Sequence, residues 1–138
     1  MTKRYLKTAF VYAVIAIVFG VFYREFTKGM AYSGQTALSV MHTHYFMLGM
    51  TFFLVLALLE KNFAFSDKTV FWLIVVYHAG LNVAGAAMFS RGLAQVICES
   101  GISKGLDGAI SGIAGLGHAV LGVALLWTLI KLIKSVKN

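Results

Sequence analysis

The sequence predicts an all-α membrane protein: a single domain over residues 1–138, built as four transmembrane helices in an up-down bundle. Composition is the first observation behind this. The 138 residues are 59% hydrophobic and 12% charged, with a mean hydropathy of +0.82. Soluble domains run at about 45–50% apolar and about 25% charged. A chain this short cannot bury that much apolar surface in a water-exposed globule, so lipid is the natural solvent for the excess. The second observation is that the apolar residues fall in four continuous runs near the ~20-residue length that spans a bilayer. The third is the uneven placement of Lys and Arg between those runs.

Thr8 to Tyr23 forms the first run, slightly short unless it continues past Arg24. Leu38 to Leu59 forms the second and ends at Glu60-Lys61. Thr69 to Phe89 forms the third and ends at Ser90-Arg91. Ala109 to Ile133 forms the fourth, with Lys131 and Lys134 at its end. The runs are continuous rather than alternating, and a helix satisfies its own backbone polar groups within lipid, so strands are excluded. The segment after Met1–Lys7 has the shape of a signal peptide, but the run is too long and Tyr23-Arg24-Glu25-Phe26 is no small-residue cleavage site. It reads as a retained helix.

Lys3, Arg4, Lys7, Lys61, Lys68, Lys131, Lys134 and Lys137 fall on one side of the four runs; Arg24, Lys28, Arg91 and Lys104 fall on the other. The positive-inside rule then puts both termini in the cytoplasm. The outer loops become Thr27 to Ala37 and Arg91 to Gly108, the latter with room for a short surface helix over Gly92 to Glu99. The inner loop Lys61 to Lys68 is tight and makes the second and third helices antiparallel neighbours.

Topology accounts for the net charge of +7. There is no basic patch with interleaved aromatics, so a nucleic-acid partner is excluded. Cys98 is the single cysteine, which rules out an internal disulfide. No nucleotide loop, Ser-His-Asp arrangement or paired carboxylate is present.

The four histidines carry the chemical content. His42 and His44 lie on the second span, His78 on the third and His118 on the fourth. Ionisable residues inside a membrane are costly and mark sites. At about 1.5 Å per residue, His42, His44 and His118 lie about 6, 9 and 13 Å below the outer ends of their spans, and His78 about 16 Å. His42 and His44 are two residues apart, about 200° of rotation on a helix. They point to opposite sides and do not easily chelate one ion.

Ser111, Gly115, His118 and Gly122 share one helix face, with Gly112 and Gly117 nearby. A flat cofactor needs such a gap beside its ligand, although close helix packing explains small residues equally well. His78 shares a face with Asn82 and Gly85. Two histidines on different helices at similar depth suit the axial positions of haem b, and the absence of Cys-x-x-Cys-His excludes covalent attachment. Copper or zinc would want three donors converging on one point. Arg24 and Arg91, at the outer ends of helices one and three, are candidate partners for haem propionates; as interfacial anchors they would need no further role. Tyr5, Tyr12, Tyr23, Tyr32, Trp72 and Trp127 read as an interfacial belt. Tyr45 and Tyr77 lie deeper, beside histidines. Glu60 is assigned Lys61, Lys68 or solvent as its partner.

Two resemblances add to this reading. The segments Gly20-Val21-Phe22-Tyr23-Arg24-Glu25-Phe26-Thr27-Lys28, His42-Thr43-His44 with Leu48-Gly49, Leu59-Glu60-Lys61, Arg91-Gly92-Leu93-Ala94-Gln95-Val96 and Gly112-Ile113-Ala114-Gly115-Leu116-Gly117-His118 resemble a family of small bacterial four-helix membrane proteins catalogued as a domain of unknown function. That resemblance implies the fold and a multi-pass place in the bacterial cytoplasmic membrane; it implies no activity. Separately, Val40 to Met50 resembles the helix of haem-copper oxidase catalytic subunits that carries a His-x-His-Tyr segment. There the two histidines bind two different haems on opposite sides of the helix. Carried over, His42 would face a high-spin or open site and His44 a low-spin haem, with His118 as its second ligand. The adjacent His-His pair of the oxidase copper site is absent here.

The expectation is a small membrane cytochrome holding one or two b haems. It would work in electron transfer with a quinol or another membrane redox protein, or in diatomic-gas chemistry near the outer face. His44 and His118 are the expected axial ligands, His42 serves a second haem or metal, and His78 is a weaker candidate. The alternatives are a histidine-based copper or zinc protein and a non-catalytic assembly protein. Four short helices would leave much of a haem at the bundle edge, which makes a homo-oligomer compatible with either.

Overall fold

A computed structural model describes residues 1–98 and 101–136. Four helices are long and apolar enough to cross a membrane: α1 (Thr2–Gly29), α2 (Leu38–Phe63), α3 (Lys68–Ile97) and α4 (Lys104–Ser135). No strand occurs among the described residues. All four helices outrun their apolar cores. Their polar and basic ends continue the helix where the hydrocarbon stops, because water there does not compete against an already nucleated helix. The surface helix expected over Gly92 to Glu99 is instead the last turns of α3, which runs unbroken to Ile97; Glu99 and Lys137 lie outside the described residues.

Two ends of the bundle can be told apart by their contacts. At one end the Tyr5 hydroxyl meets Ser66 Oγ at 2.7 Å and Lys131 Nζ meets Asp67 Oδ2 at 2.6 Å, so the start of α1, the α2–α3 loop and the end of α4 lie together. Glu60 accepts from Ser66 N at 3.0 Å and lies 3.8 Å from the Met1 amino group, in place of the lysines expected for it. At the opposite end, Thr36 Oγ1 donates to Gly92 O at 2.9 Å, Ala37 N donates to Gln95 Oε1 at 2.8 Å, and Arg91 pairs with Asp107 at 3.0 Å.

Local sequence sets the helix ends. Asp67 caps α3 by accepting from Val70 N at 2.8 Å, and Ser103 Oγ accepts from Leu106 N at the start of α4. α2 stops where Ala64 turns left-handed (φ 45°, ψ 46°). One departure interrupts α2: Tyr45–Thr51 is a π-helical segment that begins directly after His44. Tyr77 of α3 donates to Leu48 O within it at 2.7 Å, giving a carbonyl displaced from the regular ladder a partner.

The helices pack through small residues and rings. α1 buries Tyr5, Ala9, Tyr12 and Ala16, a single stripe facing α2 and α3. Tyr12 stacks on Phe53 and Tyr45, and Phe19 on Tyr45. Tyr5 and Tyr12 are therefore core residues and not members of the interfacial belt expected for them. α3 and α4 meet backbone to backbone: a Cβ placed on Gly80 would lie 2.6 Å from Leu121 N, and one on Gly117 2.7 Å from Ala84 N. With no hydrophobic drive between helices in lipid, such close van der Waals approach is what holds them. The outward surface is apolar, with Phe10 and Ile133 each 70% exposed, as a lipid-facing surface should be.

Asp67 carries a pH dependence. The Lys131 ammonium, then the Val70 N–H, hold its carboxyl below the usual carboxylate range. Its folded value is depressed, so its contribution is present at neutral pH and lost as pH falls through that folded value. Melting of detergent-solubilised protein should therefore show a small excess of stability over Asp67→Asn at pH 7 that disappears as acidification protonates the Asp67 carboxylate. The excess is small because the pair is exposed. A gap between the two proteins that widened on acidification would contradict the assignment.

Candidate functional site

The opposed directions of His42 and His44 persist in the fold. His42 faces α1: its Cβ lies 3.6 Å from the position a Cβ would take on Gly20. His42 Nδ1 is buried with no hydrogen-bond partner among the described residues. His44 turns instead towards α4, where its ring centre lies 6.0 Å from that of His118, the two planes at 87°. α4 begins five residues before Ala109, so His118 is deeper in its helix than expected, yet the two rings still meet.

Both rings of this pair are oriented in the same way. His44 Nδ1 lies 3.1 Å from Val40 O and His118 Nδ1 lies 2.7 Å from Ala114 O. A carbonyl can only accept, so each Nδ1 carries a proton, and in the neutral ring the lone pair is on Nε2. Neither Nε2 has a hydrogen-bond partner among the described residues. Neither ring bonds across to another helix, which is what a purely bridging histidine would do.

The small face of α4 lies beside this pair. Cβ atoms built on Gly108, Gly112, Gly115 and Gly122 would meet nothing within 4 Å, whereas Gly117, on the other side, is pressed against α3. Helix packing within the chain therefore accounts for Gly117 and not for the other four. At the end of this face Arg91 bonds to Ser111 Oγ and to Asp107, while its Nε is buried without a partner. Arg24, the other candidate, is exposed and, among the described residues, paired only with its neighbour Glu25 at 3.7 Å.

His78 stands elsewhere, between α1 and α2. It stacks on Phe53 with ring centres 4.9 Å apart, and its Nδ1 lies 2.6 Å from the Tyr12 hydroxyl. Asn82 Nδ2 donates to Tyr12 Oη at 3.2 Å and to His78 O at 2.8 Å; the Tyr45 hydroxyl reaches Asn82 Oδ1 at 3.4 Å. Tyr12, which completes this network, was missed as a site residue. The i, i+4, i+7, i+11 spacing of Tyr5, Ala9, Tyr12 and Ala16 puts the four on one face of α1, and only the packing of that face against α2 and α3 makes it the inward one. No group of three or more His, Cys, Asp or Glu residues that could hold a metal ion occurs among the described residues, so the three-histidine copper or zinc centre is not assembled within this chain.

Fold and site together define a four-helix bundle suited to a lipid bilayer, with one histidine pair at the α2–α4 seam and one histidine-tyrosine network between α1 and α3. The chain belongs to the family described as "Protein of unknown function (DUF2871)", whose profile matches residues 2–135. No curated protein and no solved structure matches it.

Proposed function

We propose that the protein is a membrane-embedded b-type haem protein with His44 and His118 as axial ligands, working in electron transfer or in chemistry with a diatomic gas. The observation that carries the reading is the His44–His118 pair. His44 on α2 and His118 on α4 would hold the haem iron between them: their ring centres lie 6.0 Å apart, and neither Nε2 has a hydrogen-bond partner among the described residues. Second-shell bonds from Nδ1 to a carbonyl are the usual way a ligating histidine is held in the correct tautomer.

The surroundings fit the same group. The open glycine face leaves space beside His118 for a flat macrocycle. Arg91 offers a buried, unpartnered Nε at the end of that face, a donor suited to an anionic propionate. Haem would supply one-electron chemistry. The chain's own part is to fix the orientation of both imidazoles through Val40 O and Ala114 O and to keep the pair in an apolar setting. A low dielectric around the ligands favours the less charged redox state.

The test is the absorption spectrum of protein purified in mild detergent from cells supplied with haem, oxidised and then reduced with dithionite, with metal analysis on the same sample. A Soret band with sharp reduced α and β bands is the expected result. A featureless visible spectrum would refute the haem reading. Stoichiometric copper or zinc would then require a site completed outside a single chain, since no three-ligand group is present among the described residues.

A further inference from the structure

The groove between α1 and α3 contains a polar group that the haem reading does not use. It has a volume of about 370 Å³ and is lined by Lys7, Thr8, Val11, Tyr12, His78 and Asn82 among others. A second hollow of about 150 Å³, which Arg4, Tyr5 and Ile74 help to line, also has His78 in its wall.

The hydrogen bonds fix the protonation of His78. Asn82 must present Nδ2 to His78 O, because a backbone carbonyl only accepts. The same Nδ2 donates to Tyr12 Oη. The Tyr12 proton then has one acceptor, His78 Nδ1. The remaining imidazole proton therefore sits on Nε2. That Nε2 is not among the buried unpartnered atoms and has no hydrogen-bond partner among the described residues, so an N–H donor opens onto a groove that faces hydrocarbon. An unsatisfied donor in lipid is costly, which calls for an acceptor on whatever fills the groove.

Depth selects the acceptor. His78 lies ten residues beyond Lys68, the first residue of α3, or about 15 Å along the helix. Phospholipid headgroups stay at the interface, and a charged ligand would not descend that far. A neutral, flat ring bearing carbonyl oxygens on an apolar tail can do so, and the ring edges of Tyr12 and His78 suit its faces. We infer that the α1–α3 groove is a binding site for the head of a lipid-soluble quinone, with His78 Nε2–H donating to one ring carbonyl. This would provide the redox partner that a haem centre needs, but it rests on the groove alone.

A short-tailed benzoquinone, titrated into detergent-purified protein with or without haem, should bind saturably at one site per chain. Its carbonyl stretching band should move to lower frequency on binding. His78→Phe keeps the ring stacked on Phe53 and should weaken binding about tenfold, the size expected for one lost hydrogen bond, and abolish the band shift. Val11→Trp fills the groove without touching the network and should also weaken binding, with helicity and elution volume unchanged. No saturable binding by the wild type would overturn the inference. So would binding that Val11→Trp removes but His78→Phe leaves intact with an unshifted carbonyl band, since the groove would then hold only an apolar tail. Either failure leaves the haem spectrum untouched as a separate result.

Discussion

His44→Ala and His118→Ala should each remove the reduced α band and lower the haem retained per chain by more than the about 10–100-fold that losing a second-shell partner costs. The reason is geometric. Each helix supplies one imidazole, and each imidazole is held by its own helix through Val40 O or Ala114 O. Nothing else among the described residues stands ready to replace either: His78 is engaged with Tyr12 and His42 faces α1. His78→Ala should leave the band in place. Gly115→Leu makes the sharper control. Its side chain would enter space that is open in the chain, so helicity and melting should hardly change, yet haem retention should fall because that space is needed. Persistence of the band in either histidine variant would sink the ligand assignment. Full retention in Gly115→Leu would remove the glycine face from the haem site.

The largest effect on stability should come from Gly80→Leu and Gly117→Leu. At both positions the new Cβ would meet backbone of the facing helix, Leu121 N at 2.6 Å and Ala84 N at 2.7 Å. Backbone cannot rotate aside as a side chain can, so α4 must lift from α3. Overpacking usually costs about 1–3 kcal/mol and more where nothing can yield. These two changes should exceed that range and should lower the yield of folded protein. Gly112→Leu, with nothing within 4 Å, should be neutral. Thermal unfolding in detergent, read alongside protease sensitivity of the Cys98–Ser103 connection, would separate the three. Equal melting of all of them would show that the α3–α4 contact is not what holds α4.

The fold was largely legible because lipid allows so few solutions. Four apolar runs leave helices as the answer, and the short connection near Asp67 makes neighbours of α2 and α3. Helix ends were less legible: hydropathy marks where hydrocarbon stops, while the hydrogen-bonded ladder continues through Lys28 and Gln95 into the polar region. The opposite facings of His42 and His44 followed from helical rotation alone. Tyr12 did not, because a tyrosine near a span end fits an interfacial anchor as well as a buried hydroxyl with a partner. Its burial depends on where α3 presents His78 and Asn82, a tertiary fact. Likewise, Gly117 and Gly115 are indistinguishable in sequence, although one is pressed against a neighbouring backbone and the other faces open space.

The widened turns of Tyr45–Thr51 have a consequence for the phase of α2. Met41, Tyr45, Gly49 and Phe53 are all buried, three successive steps of four residues. In a regular helix each such step overshoots a full turn by about 40°, so Phe53 would end about 120° away from Met41. The looser winding absorbs that lag and lets one inward stripe run the length of the span. It acts as a built-in insertion whose extra residue resets the angle between the two halves. Deleting a single residue there would leave eleven steps between Met41 and Phe53, about 1100° of regular winding and so within about 20° of three full turns. The histidine-bearing half would keep its direction towards α4, so a one-residue deletion inside Tyr45–Thr51 should be tolerated where the same deletion in a regular stretch of α2 would turn His44 away.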